Sequence, residues 1–308
     1  MARMTELARQ AASGLDTDGG HGGQSVLDRL VALLDLERIE ENIYRGVSPP
    51  HSPTRVFGGQ VAGQSLVAAG RTVPPERGVH SLHAYFIRPG DPKVPIVYEV
   101  DRIRDGRSFT TRRVVAIQHG KAIFSLSASF QLTEQGAEHA EDMPDVPAPE
   151  TLPTLSERTA EYADRLGLRS QPRPIDIRYV TEPPWQTRGN PQRPSRNQVW
   201  MRADGTLPDD RLLHVCVLTY ASDMTLLDSV LASHGVYWDL DRVIGASLDH
   251  ALWFHRPFRA DEWLLYDSAS PTASGGRGLA TGRFFSRSGQ HIATVVQEGL
   301  IRLPDHPA

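Results

Sequence analysis

Position 223 places a carboxylate where an aliphatic side chain would be cheaper. In the run LLHVCVLTYASDMTLLDSV, Leu212, Val215, Cys216, Leu226 and Val230 follow helical spacing on one apolar face, and Thr219 and Asp223 fall on the same stripe. Thr219 is readily accommodated, because its hydroxyl can bond a backbone carbonyl one turn back. Asp223 needs a compensating partner, since burying an unpaired charge is expensive. Either it has one, or the helix breaks at Ala221-Ser222-Asp223 and Asp223 caps the following turn; the two can hold together. Gln297 raises the same question in a strand. In IATVVQEGLI it shares a face with Ala293, Val295 and Ile301, so an amide stands among aliphatic residues. It either serves a site or satisfies backbone groups at a sheet end. Ser247, on the strand that follows the helix, is uninformative by itself. An acid, a hydroxyl and an amide that converge would hold a water by three hydrogen bonds, with the carboxylate able to take its proton.

Other candidate chemistry is weaker. The stretch ASLDHALWFHRPF (246–258) carries Asp249, His250 and His255, but in a regular strand His250 and His255 point to opposite faces. Ser247 and Asp249 would then lie on the face opposite His250. No third ligand stands at zinc spacing, so no metal site is expected. Cys216, the single cysteine, lies in an apolar run and reads as a small buried hydrophobe rather than a nucleophile. His80, a lone histidine at a strand start, reads as structural before acid–base. The chain has no G-x-S-x-G, G-x-G-x-x-G or P-loop pattern, so covalent serine chemistry and nucleotide phosphate binding have no local support.

The elements that would position these groups come in two similar sets. Residues 1–24, ending in GLDTDGGHGGQ, are expected to form a disordered tail. An amphipathic helix over SVLDRLVALLDL follows, then a possible strand near ENIYRGVS. FGGQVAGQSLVAAGRTV, crowded with Gly, Ala and Ser, predicts a thin helix closely wrapped by a sheet. Strands are expected at 79–88, 94–104, 107–118 and 121–131, with Asp105-Gly106 and His119-Gly120 as two-residue hairpin turns. Residues 135–195 read as a proline-rich linker, with one helix opened by the capping box Thr154-Leu155-Ser156-Glu157, and as a candidate lead-in to the second module. The order then recurs: a lead-in strand NQVWMRAD, a helix over 210–232, and strands at 243–256, 262–272, 277–287 and 290–302. Gly275-Gly276 and Ser288-Gly289 stand at the corresponding turns. HAYFIRPG (83–90) aligns with ALWFHRPF (251–258), and SASFQ (127–131) with ATVVQ (293–297), which makes an internal duplication the best reading.

Composition sets the outer limits. With 33 basic and 37 acidic residues, the formal net charge of −4 gives no electrostatic case for nucleic acid. No apolar run reaches the roughly 18 residues of a membrane span. A single cysteine and the lack of a signal-like N-terminus or a C-terminal retention motif make the cytoplasm the expected location.

The stretches RVFGGQVAGQSL, VHSLHAYFIRPGDP, RDGRSFTTRRVVAIQHGKAIFSLSASFQ, YASDMTLL, LDHALWFHRPFRADEWLLY and VVQEGLIR resemble, in that order, the acyl-CoA thioesterase II (TesB-like) family from about residue 26 to 303. The resemblance implies an α+β double hotdog, with modules over 25–134 and 196–304 and the active site in the second. It implies hydrolysis of acyl-CoA to free coenzyme A and a carboxylic acid, with neither metal nor covalent intermediate and no cofactor. The family's water-activating Asp and Gln fall on Asp223 and Gln297, and its Thr falls on Ser247. Serine keeps the hydroxyl but loses the methyl that fixes the rotamer. The first half offers Gln131 without a matching acid, so one site per chain is expected. Backbone N–H groups at Gly58-Gly59 or at 221–223 are alternative oxyanion donors, and Arg107, Arg112, Arg113 and Arg277 are available to phosphates without any being assigned. Further assembly into a homo-oligomer, dimer or higher, is also implied. The rival activities are a hotdog enoyl-CoA hydratase or dehydratase, which would need an Asp–His pair such as Asp249-His250, and a non-catalytic acyl-CoA-binding protein.

Overall fold

A computed structural model describes residues 22–49, 55–161, 173–190 and 196–303. Most of the expected N-terminal tail, residues 1–21, lies outside the described residues. The described chain divides into two compact units. One holds the residues up to 137 with 173–174 and 203–221; the other holds 138–161, 175–190, 196–202 and 222–303.

The first unit opens with α1 (Gly22–Leu34), which starts three residues before its expected origin. Gln24 explains the early start. Its amide donates to Asp28 Oδ1 at 2.8 Å one turn on, and its Oε1 accepts the Thr206 N–H at 2.7 Å. Two short strands, β1 (Glu37–Glu40) and β2 (Ile43–Gly46), lead to α2 (Gly58–Gly70). Then come β3 (Arg77–Phe86), β4 (Ile96–Asp105), β5 (Phe109–Gln118) and β6 (Lys121–Leu132). The antiparallel order is β1-β2-β4-β5-β6-β3.

The small residues of α2 have the predicted consequence. Residues 59–69 are all buried, and the helix packs along β3 to β6. On its other side runs α4 (Arg211–Ser222), whose residues to Ala221 cluster with this unit. A Cβ at position 59 would sit inside contact distance of the Tyr220 carbonyl oxygen, so only glycine lets the two helix backbones approach this closely.

The second unit contains α3 (Leu155–Thr159), β7 (Ile175–Tyr179), β8 (Arg196–Ala203), α5 (Asp228–His234), β9 (Ile244–Ser247), β10 (Asp249–Phe254), β11 (Leu264–Ser274), β12 (Arg277–Ser286) and β13 (His291–Arg302). Its sheet order is β10-β13-β12-β11-β8-β7, with β9 also pairing to β13. Helix α5 lies on β11 and β12. Trp200, Trp263, Leu265 and Phe285 form a buried cluster that Met143, Val146, Leu152 and Val180 close.

Three sequence expectations are revised. Within the stretch read as linker or lead-in, the segment IDIRY is the edge strand β7, with alternate residues buried. The helix over 210–232 is not continuous: it ends at Ser222, at the break at Ala221-Ser222-Asp223 offered as an alternative, and after a stretch of turn α5 begins with Leu227 as its N-cap. Two of the four turns are longer than two residues. His119-Gly120 (φ +50° and +69°) and Gly275-Gly276 (φ +57° and +72°) make the tight left-handed turns. Gly106 and Gly289 instead sit in wider connections closed by Gly106 N–H to Phe109 O at 2.9 Å and Ser286 N–H to Gln290 O at 2.9 Å. The capping box at Thr154 forms as read, with Glu157 N–H donating to Thr154 Oγ1 at 3.1 Å and Thr154 N–H to Glu157 Oε2 at 2.7 Å.

Candidate active site

The expected strand over 243–256 is broken, and the break shapes the site. Ser247 opposes Gly299 on β13, whereas Ala251 opposes Val296. Four residue steps on one strand thus span three on the other, which is a β-bulge. The Asp249 carboxylate fills it, accepting the Glu298 N–H at 2.6 Å, while Leu248 N–H donates to Glu298 O at 2.9 Å. Beyond the bulge, continuing the β10 register by one residue sets His250 opposite Gln297. Ser247, opposite Gly299, and His250, opposite Gln297, therefore share one face of the sheet. A regular strand would have separated them, as the sequence pattern predicted. The bulge also accounts for Asp249: its carboxylate is engaged in the backbone, not aimed at an acyl chain beside His250.

Onto this face comes the break in the helix. Asp223 directly follows α4, and its Oδ1 accepts two hydrogen bonds. Gln297 Nε2 donates at 2.7 Å and Ser247 Oγ at 3.4 Å. The acid, hydroxyl and amide singled out in the sequence are thus brought together within the second unit. Gln297 is 0% exposed; Asp223 and Ser247 are partly accessible.

Residues that the sequence did not single out complete the surroundings. Ser222 Oγ lies 2.8 Å from His250 Nε2, and the Tyr266 hydroxyl donates to the Ser222 carbonyl at 3.1 Å. Burial drives the Tyr266 phenol well above its usual range, and the Asp223 charge adds to the effect. Tyr266 stacks on Phe284 at a centroid distance of 3.9 Å. Its ring fits only because residue 282 is glycine; a Cβ there would collide with it. His250 is fully buried, and that burial pushes its ring down to about 4, with the Gln297 side chain partly opposing the shift. The ring is neutral at physiological pH. Tyr266 carried no sequence signal beyond its place in a strand, and Ser222 none beyond adjacency to Asp223.

The remaining candidates make contacts outside this cluster. Thr219 Oγ1 donates to Val215 O at 2.9 Å, the one-turn-back bond expected of it. Cys216 is buried, and burial raises its thiol pKa, which opposes thiolate formation. His80 Nε2 lies 2.8 Å from Ser129 Oγ, with its pKa lowered by burial. His255 lies against Thr294 Oγ1 at 2.8 Å, apart from the buried His250. Gln131 Nε2 reaches Glu134 at 3.4 Å. Arg112 is 1% exposed and is tied to Thr72 Oγ1 at 2.8 Å and Asp105 at 2.6 Å. Arg113 pairs with Asp101 at 3.0 Å, and Arg277 with Glu298 at 2.9 Å. Arg107 is exposed, and its carbonyl accepts from Arg77 at 3.0 Å.

Known families and proteins match most of this chain. The family described as acyl-CoA thioesterase matches residues 171–300, and the acyl-CoA thioesterase N-terminal domain matches 47–131. Acyl-coenzyme A thioesterase 8 of Mus musculus is 43% identical, covering 94% of this chain and 93% of that one. The crystal structure of an acyl-CoA thioesterase II, TesB2, from Mycobacterium marinum is 47% identical and superposes with a TM-score of 0.75 over 91% of this chain and 99% of that one. A hotdog-fold protein of Alicyclobacillus acidocaldarius superposes with a TM-score of 0.72 over 90% of this chain and 98% of that one; at 20% identity it bears on fold alone. The fold is the α+β double hotdog.

Proposed function

The chain belongs to the acyl-CoA thioesterase II (TesB-like) family, and from that premise we propose that it hydrolyses acyl-CoA at Asp223, Ser247 and Gln297. The observation that carries this reading is the convergence of Gln297 Nε2 and Ser247 Oγ on Asp223 Oδ1 at 2.7 and 3.4 Å. Two donors thus fix the orientation of the carboxylate that would act as general base. Each donor also has further capacity: the amide has a second N–H, and the hydroxyl has lone pairs. A water placed among the three would accept from Gln297 and be fixed by Ser247, with one proton directed to Asp223.

In the proposed reaction the water oxygen attacks the thioester carbonyl carbon while Asp223 takes the proton. The tetrahedral intermediate collapses with cleavage of the C–S bond. The proton passes from Asp223 to the departing sulfur, giving coenzyme A and the free acid and restoring the carboxylate. The site needs no nucleophilic side chain for this sequence of steps. The rival hydratase would use Asp249 with His250, but Asp249 accepts the Glu298 N–H and His250 faces Ser222.

Incubating the protein with acyl-CoAs of graded chain length, a thiol reagent and a record of enoyl absorbance tests the reading. Release of coenzyme A thiol at a rate proportional to protein supports it. A change in enoyl absorbance without thiol, or saturable binding with neither signal, would replace it with the hydratase or the non-catalytic binder.

A further inference from the structure

His250, like Tyr266, is a buried titratable group at this site that the proposed hydrolysis does not use, and it is the one on the sheet face of Gln297 with an unmatched ring nitrogen among the described residues. The bulge sets it opposite Gln297 on the same face, and its Nε2 lies 2.8 Å from Ser222 Oγ, on the residue adjoining Asp223. Two buried polar atoms there have no hydrogen-bond partner among the described residues: His250 Nδ1 and Gln297 Oε1. They belong to the two residues that the register places across from one another. Gln297 Nε2 is engaged with Asp223, so its Oε1 is directed to the other side of the amide. The pair falls short of a formed hydrogen bond, yet Gln297 is close enough to favour the protonated ring. A buried donor and a buried acceptor on opposed residues gain by closing, because each alone carries its full desolvation penalty.

We propose that His250 is a positioning residue for the hydrolytic site, with Ser222 Oγ–H donating to Nε2 and Nδ1–H directed to Gln297 Oε1. The chain of donors then runs one way, Ser222 to His250 to Gln297 to Asp223, and ends on the carboxylate. Its effect is to fix which end of the Gln297 amide faces Asp223. A flipped amide would set Oε1 against the carboxylate and turn both N–H groups away, one from Asp223 and the other from the water. The neutral tautomer is required, because Nε2 must accept while Nδ1 donates. Burial keeps the ring neutral, with its pKa pushed down to about 4, and in the proposed arrangement the Ser222 Oγ–H donated to Nε2 selects the tautomer with the proton on Nδ1. The inference rests on Gln297 acting in hydrolysis, and the test separates the two.

The test is steady-state acyl-CoA hydrolysis by the full chain, measured as thiol release, in a double-mutant design. His250→Phe keeps the ring and removes both nitrogens. It is expected to lower kcat about tenfold or more with KM within about twofold, since misplacing a reacting group by an ångström is enough for such a loss. His250→Asn, whose amide nitrogen approximates Nδ1, is expected to restore most of kcat. In a Gln297→Ala background, His250→Phe is expected to lower kcat no further, whereas a purely structural role would lower it equally in both. If His250→Phe does not fold, Ser222→Ala takes its place with the same expectation of a kcat loss that vanishes in the Gln297→Ala background. An additive loss, or wild-type kcat in both His250→Phe and Ser222→Ala, would overturn the inference. Wild-type kcat in Gln297→Ala alone would instead overturn the reading of the site on which it rests.

Discussion

Replacing Asp228 with asparagine should stabilise the protein in a way that grows with pH. Asp228 opens α5, is 5% exposed and accepts a hydrogen bond from Trp238 Nε1 at 2.7 Å. Burial pushes its carboxyl from the usual 3.8 to about 7, and the Trp238 bond only partly restrains the rise. The proton is therefore bound more tightly in the folded chain than in the unfolded one. For a raised pKa the associated stability is complete below about 4 and falls as pH rises, until above about 7 the folded state carries the whole penalty. At about 1.4 kcal/mol per tenfold change in proton affinity, that penalty is about 4 kcal/mol at pH 8 and about 2 kcal/mol at pH 5. Asparagine is neutral throughout and keeps an oxygen for Trp238. Any pH-independent effect of the substitution cancels between the two conditions. The stability difference between Asp228→Asn and wild type, from urea unfolding followed by tryptophan fluorescence, should thus widen in the mutant's favour by about 2–3 kcal/mol from pH 5 to pH 8. A difference that stays constant, or that moves the other way, would refute the account of Asp228 as a carboxylic acid held neutral by burial.

Further outcomes follow from the same geometry. His250 works in the opposite sense to Asp228: its pKa is depressed to about 4, so its contribution to stability is present above 6.5 and lost as pH falls toward 4. His250→Phe should therefore gain about 2 kcal/mol on wild type between pH 7 and pH 5 in chemical unfolding. Ser247→Ala should lower kcat about tenfold or more, whereas Ser247→Thr, which keeps the hydroxyl and stiffens its rotamer, should stay within about threefold of wild type; equal loss in both would remove the hydroxyl from the site. Gly282→Ala should destabilise by about 1–3 kcal/mol through collision with the Tyr266 ring, read as a lowered midpoint of thermal or urea unfolding.

Much of the fold was legible because local chemistry and burial agreed. The small residues of α2 announced close packing, and His119-Gly120 and Gly275-Gly276 could hardly be other than tight turns. Asp223 and Gln297 were visible as violations: each put a polar group where its period called for an apolar one. Ser247 was not visible in that way, since a serine near a strand end violates nothing, and only the family resemblance pointed to it. The placing of Ser247 and His250 on opposite faces was overturned for a physical reason. Strand alternation is reliable only while the register holds, and the bulge at 247–251 is fixed by Asp249 bonding to a backbone N–H far along the chain. No window of sequence around His250 contains that partner. Strand β7 was missed because its short alternation sits among prolines, and pairing to β8 is a tertiary fact.

The most direct measurement is the turnover number of Asp223→Asn on an acyl-CoA that wild type hydrolyses, with unfolding recorded in parallel. Asparagine can still accept a hydrogen bond from Gln297, but it cannot take a proton from water. Water activation by Asp223 predicts a kcat lower by about a thousandfold, with KM and the unfolding midpoint close to wild type. A folded Asp223→Asn protein that turns over at the wild-type rate would contradict it.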